Sequence, residues 1–217
     1  MSLAIFDLDR TLLTGDSDHA WGDFLVERNR VDGDYYKHEN DRFYESYKAG
    51  ELDIHEYLAF VLRPLAAHDL RTLEAWRREF VRHKVSPMIT PAARALVQKH
   101  RDAGHTLIII TSTIDFVASP IAAEFSVSHL LATEAELVDG RYTGRVAGTP
   151  CYRHGKVERL RSWVQQHGET LAGSWAYSDS HNDLPLLELV EHPVAVDPDP
   201  VLREHAQARG WPILALR

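Results

Sequence analysis

Residues 3–6 (Leu-Ala-Ile-Phe) are apolar without polar alternation. Such a run suits a parallel strand covered on both faces. Residues 107–110 (Leu-Ile-Ile-Ile) are the same kind of object, and Ser174 to Tyr177 and Val194 to Val196 are weaker versions of it. Between these runs the spacing changes to that of helices. The segment PAARALVQKHRDAG begins with Pro91 and stops at Gly104, the residues that favour a helix start and end. HGKVERLRSWVQQHG reads the same way with Gly168 as its stop, and NDLPLLELV starts a further helix. Strands alternating with helices predict an α/β fold, a doubly wound, mostly parallel Rossmann-like sheet.

The stretch 16–86 breaks this rhythm. It holds no convincing buried strand, and HAWGDFLVERN, YYKHENDRFYESYKAG, DIHEYLAFVLRPL and LRTLEAWRREFVRHKV all carry helical spacing. The pattern therefore predicts two bodies. Residues 1–15 and 87–217 form the α/β core, and 16–86 form an inserted all-helical cap over the C-terminal edge of the sheet, where open α/β folds bind ligands. Asp139-Gly140 between alternating residues signals a hairpin, expected as a small flap beside the main sheet.

Composition narrows the partners. Of 217 residues, 44% are hydrophobic and 26% charged, the range of a soluble globular chain. The net charge of −8, with no dense Lys/Arg run, argues against nucleic acid. Cys151 is the single cysteine, so no internal disulfide can form and a reducing compartment is expected. The first apolar run lacks a basic flank and breaks at Asp7, and no other run reaches the length of a membrane span. The expectation is a cytoplasmic chain with no membrane partner. Its oligomeric state is not legible.

Chemistry collects at the strand ends. The first delivers Asp7-Leu8-Asp9-Arg10-Thr11 and the second Thr111-Ser112-Thr113. His154-Gly155-Lys156 precedes a helix, and the last strand end delivers Ser178-Asp179-Ser180-His181-Asn182-Asp183. C-terminal ends of parallel strands lie side by side, so carboxylates, a hydroxyl and an ammonium can converge. Clustered carboxylates suit a hard cation such as Mg²⁺. A lysine and a hydroxyl beside them suit phosphoryl oxygens. Each piece alone has an ordinary reading: Asp pairs cap turns and helices, a Ser/Thr cluster caps helices, and most lysines are solvated. Four pieces, in order and at strand ends, shift the balance.

Those four pieces resemble the motifs of the haloacid-dehalogenase-like hydrolase superfamily, and more narrowly its phosphoserine-phosphatase-like subfamily IB. FDLDRTL is similar to the first motif, IIITST to the second, Lys156 to the third and YSDSHNDLPLLE to the fourth. The resemblance covers nearly the whole chain, with the cap least specific. It implies a Mg²⁺-dependent phosphatase acting on a small phosphorylated metabolite through an aspartyl-phosphate. By it Asp7 is the nucleophile and Asp9 the general acid and base. Asp7, the backbone carbonyl of Asp9 and Asp179 hold Mg²⁺. Thr111, Ser112 and Lys156 hold the phosphoryl group, and Asp183 orients Lys156 or a metal-bound water.

Departures from the resemblance bear on the substrate. Asp16 stands where phosphoserine phosphatases carry a Glu that meets the substrate amine, with Asp18 nearby. Val61 aligns with their carboxylate-binding Arg, Arg63 lies two residues on, and Arg10 replaces a Ser. Asp16, Asp18 and Trp21 are therefore the expected substrate-pocket residues, while most other aromatics of the cap are expected in its core. His181 lies in the loop of the fourth motif, where the mouth of the site and the surface are both open to it. Phosphoserine hydrolysis and phosphotransfer on the same fold are the alternatives. A receiver-like phosphoacceptor switch fits poorly, because receivers lack both an acid/base Asp two residues after the nucleophile and a long helical insert.

Overall fold

The computed structural model describes residues 2–217. Its sheet has seven strands in the order β4-β3-β2-β1-β5-β6-β7. These are β1 (Leu3–Phe6), β2 (Thr106–Ile114), β3 (His129–Val138), β4 (Arg141–Ala147), β5 (Trp175–Ser178), β6 (His192–Val196) and β7 (Ile213–Leu214). All neighbouring pairs are parallel except β3 with β4. β1 lies centrally, with all four residues buried, as its unbroken apolar run requires. Helices α6 (Pro91–Asp102), α7 (Asp115–Glu124), α8 (His154–His167), α9 (Leu184–Leu187) and α10 (Pro200–Arg209) connect the strands.

Between β1 and β2 come α1 (Ser17–Glu27), α2 (Gly33–Ala49), α3 (Ile54–Val61), α4 (Arg63–Ala67) and α5 (Leu70–Phe80). An isolated antiparallel bridge between Leu13 and Ile89 closes the neck of this insertion. The inserted helices do not bury a separate core. Trp21 and Phe24 of α1 and Phe80 at the end of α5 belong to the same hydrophobic cluster as Phe6 and Ile109 of the sheet.

Two local expectations change. β2 runs on through Thr111-Ser112-Thr113 to Ile114, because alternate residues of that polar triplet remain buried in the strand. The Asp139-Gly140 hairpin is not set beside the sheet but forms its edge: the first half of β3 pairs parallel with β2 and the second half antiparallel with β4. Asp139 and Gly140 both take positive φ, as a tight hairpin turn demands. No helix among the described residues is long and apolar enough to cross a membrane.

Candidate active site

Sheet register assembles the floor of the site. Phe6 pairs with Tyr177 of β5 and with Ile109 of β2, so the residues that follow them leave the sheet together. Asp7 donates its backbone N–H to the Tyr177 carbonyl at 2.9 Å. The Thr11 hydroxyl donates to Asp7 Oδ2 at 3.0 Å, lies 3.3 Å from Asp179 Oδ1, and accepts the Asp179 backbone N–H at 3.1 Å. Lys156, in the first turn of α8, places Nζ 2.7 Å from both Asp7 Oδ1 and Asp183 Oδ2. Ser178 donates its hydroxyl to the same Asp183 oxygen at 2.7 Å. Each of these groups is buried.

Burial pushes the Asp7 carboxyl up to about 7, with the charges of Asp183 and Asp9 adding to it and Lys156 opposing. Burial also works against the Lys156 ammonium, yet Asp183 and Asp7 outweigh it and hold the proton in place. Asp179 is raised well above the carboxylate range by burial and then by Asp7 and Asp183. Lys156 pairs with Asp7 and Asp183, and among the described residues no Lys, Arg or His nitrogen lies within ion-pairing distance of Asp179, where Arg217 and Arg10 oppose the rise from further off. Oxygen donors carrying surplus negative charge fit a hard divalent cation. The three residues among those described whose ligand atoms do lie within 4.8 Å of one another are elsewhere: His19, Asp23 and Asp41, on the inserted helices. Lys37 beside Asp23 and Asp41 makes that group an ion-pair cluster.

Asp9 turns away from the floor. Its carboxylate accepts from the Ser17 backbone N–H at 2.5 Å and from the Thr113 hydroxyl at 2.6 Å. Any metal contact from Asp9 is thereby left to its backbone carbonyl. Burial, with Asp16 adding, raises its carboxyl to about 6 against the opposing bonds from Ser17 and Thr113. A group poised there exchanges protons readily near neutrality.

Above Asp7 and Asp9 opens a cleft of about 530 Å³, part of it open solvent. Its walls include Asp16, Asp18, His19, Phe43, Tyr44, Tyr47, Tyr57, Ser112 and Thr113. Asp16 caps α1, accepting from the backbone N–H groups of Asp18 and His19 at 3.1 and 2.9 Å. Burial raises the Asp16 carboxyl, with these two bonds and Arg10 opposing. No lysine or arginine lines the cleft among the described residues. Arg10 carries its guanidinium over the Tyr44 ring, 5.1 Å from the centroid.

Several residues lie differently from expectation. Trp21 does not face the cleft. It is fully buried against Phe24, Phe80 and Phe116, because the helical turn that follows Asp16 points it at α7. Thr111 is buried behind the lining, its hydroxyl accepting from the Thr113 backbone N–H at 3.2 Å, and Ser112 and Thr113 form the surface. Val61 is buried and Arg63 points outward, donating to the Tyr35 hydroxyl at 3.3 Å. His181 meets Asp199 at 2.8 Å and packs beside Gly50 at the end of α2. Thr11, Thr113 and Ser178 sit in the strand-end segments without an assigned role, and Tyr57 lies outside them altogether. For Thr113 a signal existed, since i and i+2 share one face of a strand.

A family model described as haloacid dehalogenase-like hydrolase matches residues 4–188. The chain is 44% identical over 217 residues to a histidinol-phosphatase of Neisseria meningitidis, with 98% of each chain covered. It is 34% identical to a phosphoserine phosphatase of Mycobacterium tuberculosis, over 99% of this chain and 70% of the relative. A protein of unknown function from Bordetella pertussis Tohama I superposes with a TM-score of 0.93 at 47% identity, over 98% of this chain and 97% of that one. A substrate-bound phosphoserine phosphatase shares the fold, with a TM-score of 0.73 at 17% identity over 98% of this chain and 92% of that chain.

Proposed function

The chain belongs to the haloacid dehalogenase-like hydrolase family and is a phosphoric monoester hydrolase, and from that premise we propose that it hydrolyses a small cationic phosphomonoester through an aspartyl-phosphate on Asp7. The Asp7 carboxylate forms a bond to phosphorus as the ester P–O bond breaks. Asp9 gives its proton to the departing oxygen. It then takes a proton from the water that attacks the aspartyl-phosphate, which returns Asp7 and releases inorganic phosphate. Lys156, with Ser112 on the surface of the cleft, holds the phosphoryl oxygens, and Thr111 supports that surface from behind. Asp183 and Ser178 fix Lys156 in place. Asp7, Asp179 and the backbone carbonyl of Asp9 are the residues that would hold Mg²⁺. When bound, the cation offsets the repulsion between an anionic nucleophile and an anionic phosphate.

The cleft wall carries the substrate reading. Asp9, Asp16 and Asp18 line it, and no lysine or arginine does. A substrate carboxylate would therefore enter among carboxylates with no lysine or arginine on the wall to receive it, since Val61 is apolar, Arg63 points outward and Arg10 lies over the Tyr44 ring outside the lining. A substrate ammonium would meet Asp16. Histidinol phosphate, the compound to which the Neisseria relative owes its name, carries an amine and an imidazole and no carboxylate.

Phosphate release from histidinol phosphate and from phosphoserine, with Mg²⁺ or with EDTA, tests this beside Asp7→Asn. The expected result is Mg²⁺-dependent release, at least about 10-fold faster for histidinol phosphate. Loss in Asp7→Asn should reach about 10⁴-fold or more, the scale of a missing nucleophile. Equal rates for wild type and variant, or indifference to Mg²⁺, would exclude the mechanism. A preference for phosphoserine would exclude the substrate class.

A further inference from the structure

Asp18 lies in the first turn of α1 and is only 8% exposed. Tyr57, from α3, donates its hydroxyl to Asp18 Oδ2 at 2.6 Å. The other carboxylate oxygen, Oδ1, is shut off from solvent and has no hydrogen-bond partner among the described residues. Both side chains line the cleft. A buried acceptor left without a partner is destabilising, the more so if charged. The cost is removed if a ligand brings the missing donor. Tyr36, whose buried hydroxyl is also without a partner among the described residues, feels the Asp18 charge but makes no hydrogen bond to it, and the other charged neighbours are Asp16 and Asp9. Burial drives the Asp18 carboxyl well above its usual range, with those two charges adding and the Tyr57 bond opposing.

The surroundings say what kind of donor fits. Phe43, Leu52 and Ile54 line the same cleft and offer apolar surface. An ammonium has three N–H donors, and this wall would leave most of them dry. A heteroaromatic ring with one N–H directed at Asp18 spends its single donor on the single free oxygen and lays its faces on the apolar wall. Asp16 is a separate place. The Asp18 and His19 backbone N–H groups both donate to its Oδ1, which leaves Oδ2 for an ammonium.

We infer that Asp18, oriented by Tyr57, is a specificity residue that accepts a hydrogen bond from a ring nitrogen of the substrate, at a subsite distinct from an ammonium site at Asp16. This rests on the reading of the cleft as one for cationic phosphomonoesters. It adds that the substrate carries a nitrogen heterocycle in addition to its amine.

The test compares two amine-bearing substrates, histidinol phosphate with a ring and ethanolamine phosphate without one. In Asp18→Asn the ratio of their kcat/KM values should fall by about 10- to 100-fold, the worth of a hydrogen bond to a charged group, with the change mainly in KM. Tyr57→Phe should lower the ratio several-fold, because Asp18 keeps its carboxyl group but loses its brace. If Asp18→Asn does not fold, as thermal melting would reveal, Tyr57→Phe carries the test alone. A ratio that stays at the wild-type value in the folded variants overturns the inference. If wild type cleaves both amines and the ratio does not move, only the ring subsite falls. If wild type cleaves neither but cleaves an anionic ester, the reading of the cleft falls with it.

Discussion

The floor of the site and its inserted wall treat carboxylates in opposite ways. On the floor Asp7 and Asp183 share Lys156, Asp183 also takes the Ser178 hydroxyl, and Asp7 also takes Thr11. On the wall Asp18 has one tyrosine hydroxyl and one bare oxygen. The floor draws its partners from β1, α8 and the β5 end, elements whose relative positions the sheet holds. The wall draws them from α1 and α3. Groups that meet an invariant phosphoryl group can be locked in advance by the protein, which lowers the reorganisation needed during reaction. Groups that read the variable part of a substrate keep hydrogen-bonding capacity unspent, and that is where selectivity is obtained.

Removing the cation of the floor gives the largest effect on this contrast. Lys156→Met leaves Asp7 and Asp183 buried without their shared partner. Loss of one partner from a buried ion pair costs about 3–5 kcal/mol. Urea unfolding of the variant should show a loss of that order together with loss of phosphatase activity. If stability is unchanged, the floor is not held by its charges, and the contrast with the wall disappears.

The floor was legible in the sequence because its chemistry is written in short spacings. Asp7 and Asp9 follow an apolar run, and parallel strands bring Asp179 beside them once β1 is central, while on β2 the hydroxyl that meets Asp9 is that of Thr113 and not of Thr111. The wall was less legible. Asp16 and Asp18 could be placed because they follow the first strand end within a few residues. Tyr57 could not, since it lies 39 residues from the carboxylate it braces and sits in a helix whose pattern also buries Leu58 and Phe60. Trp21 shows the converse. Its nearness in sequence to Asp16 suggested the cleft, but helical rotation sends it into the core. Helical periodicity reports that a residue is covered, and it does not report whether protein or ligand covers it.

The join between the two regions gives a smaller effect. Helix α2 ends at Gly50, whose φ of 71° is left-handed. A side chain there would also collide, because an added Cβ would lie 2.6 Å from His181 Nε2. Arg153 donates to the Gly50 carbonyl and, at 3.0 Å, to Asn182 Oδ1. Asn182 in turn donates to the Tyr47 carbonyl at 3.1 Å. Core side chains thus satisfy carbonyls that the end of a helix leaves open. Arg153→Ala should raise amide hydrogen exchange through residues 47–50 and raise KM several-fold, with kcat changed less. Exchange at the wild-type rate would mean that the wall is held by its apolar packing alone.

The smallest effect tests the support beneath the floor. His100 is buried under β5, with Nε2 2.7 Å from the Tyr177 hydroxyl and its ring edge-on to Phe6. Burial, with His105 and Lys99 adding, lowers its pKa from 6.5 to about 4. The folded state therefore prefers the neutral ring. Its contribution is complete above about 6.5, and it is lost as pH falls towards 4, where the unfolded chain binds a proton that the folded chain does not. The wall carboxylates run the other way. Their raised values make the fold relatively more stable as pH falls, since the folded chain then holds more protons than the unfolded one. Comparing wild type with His100→Gln cancels those carboxylates, which both chains retain. Thermal melts from pH 7.5 to 4.5 should show wild type ahead at neutral pH and the gap narrowing by about 2 kcal/mol in acid. Parallel curves would mean that His100 titrates alike in both states and gives the floor no pH-dependent support.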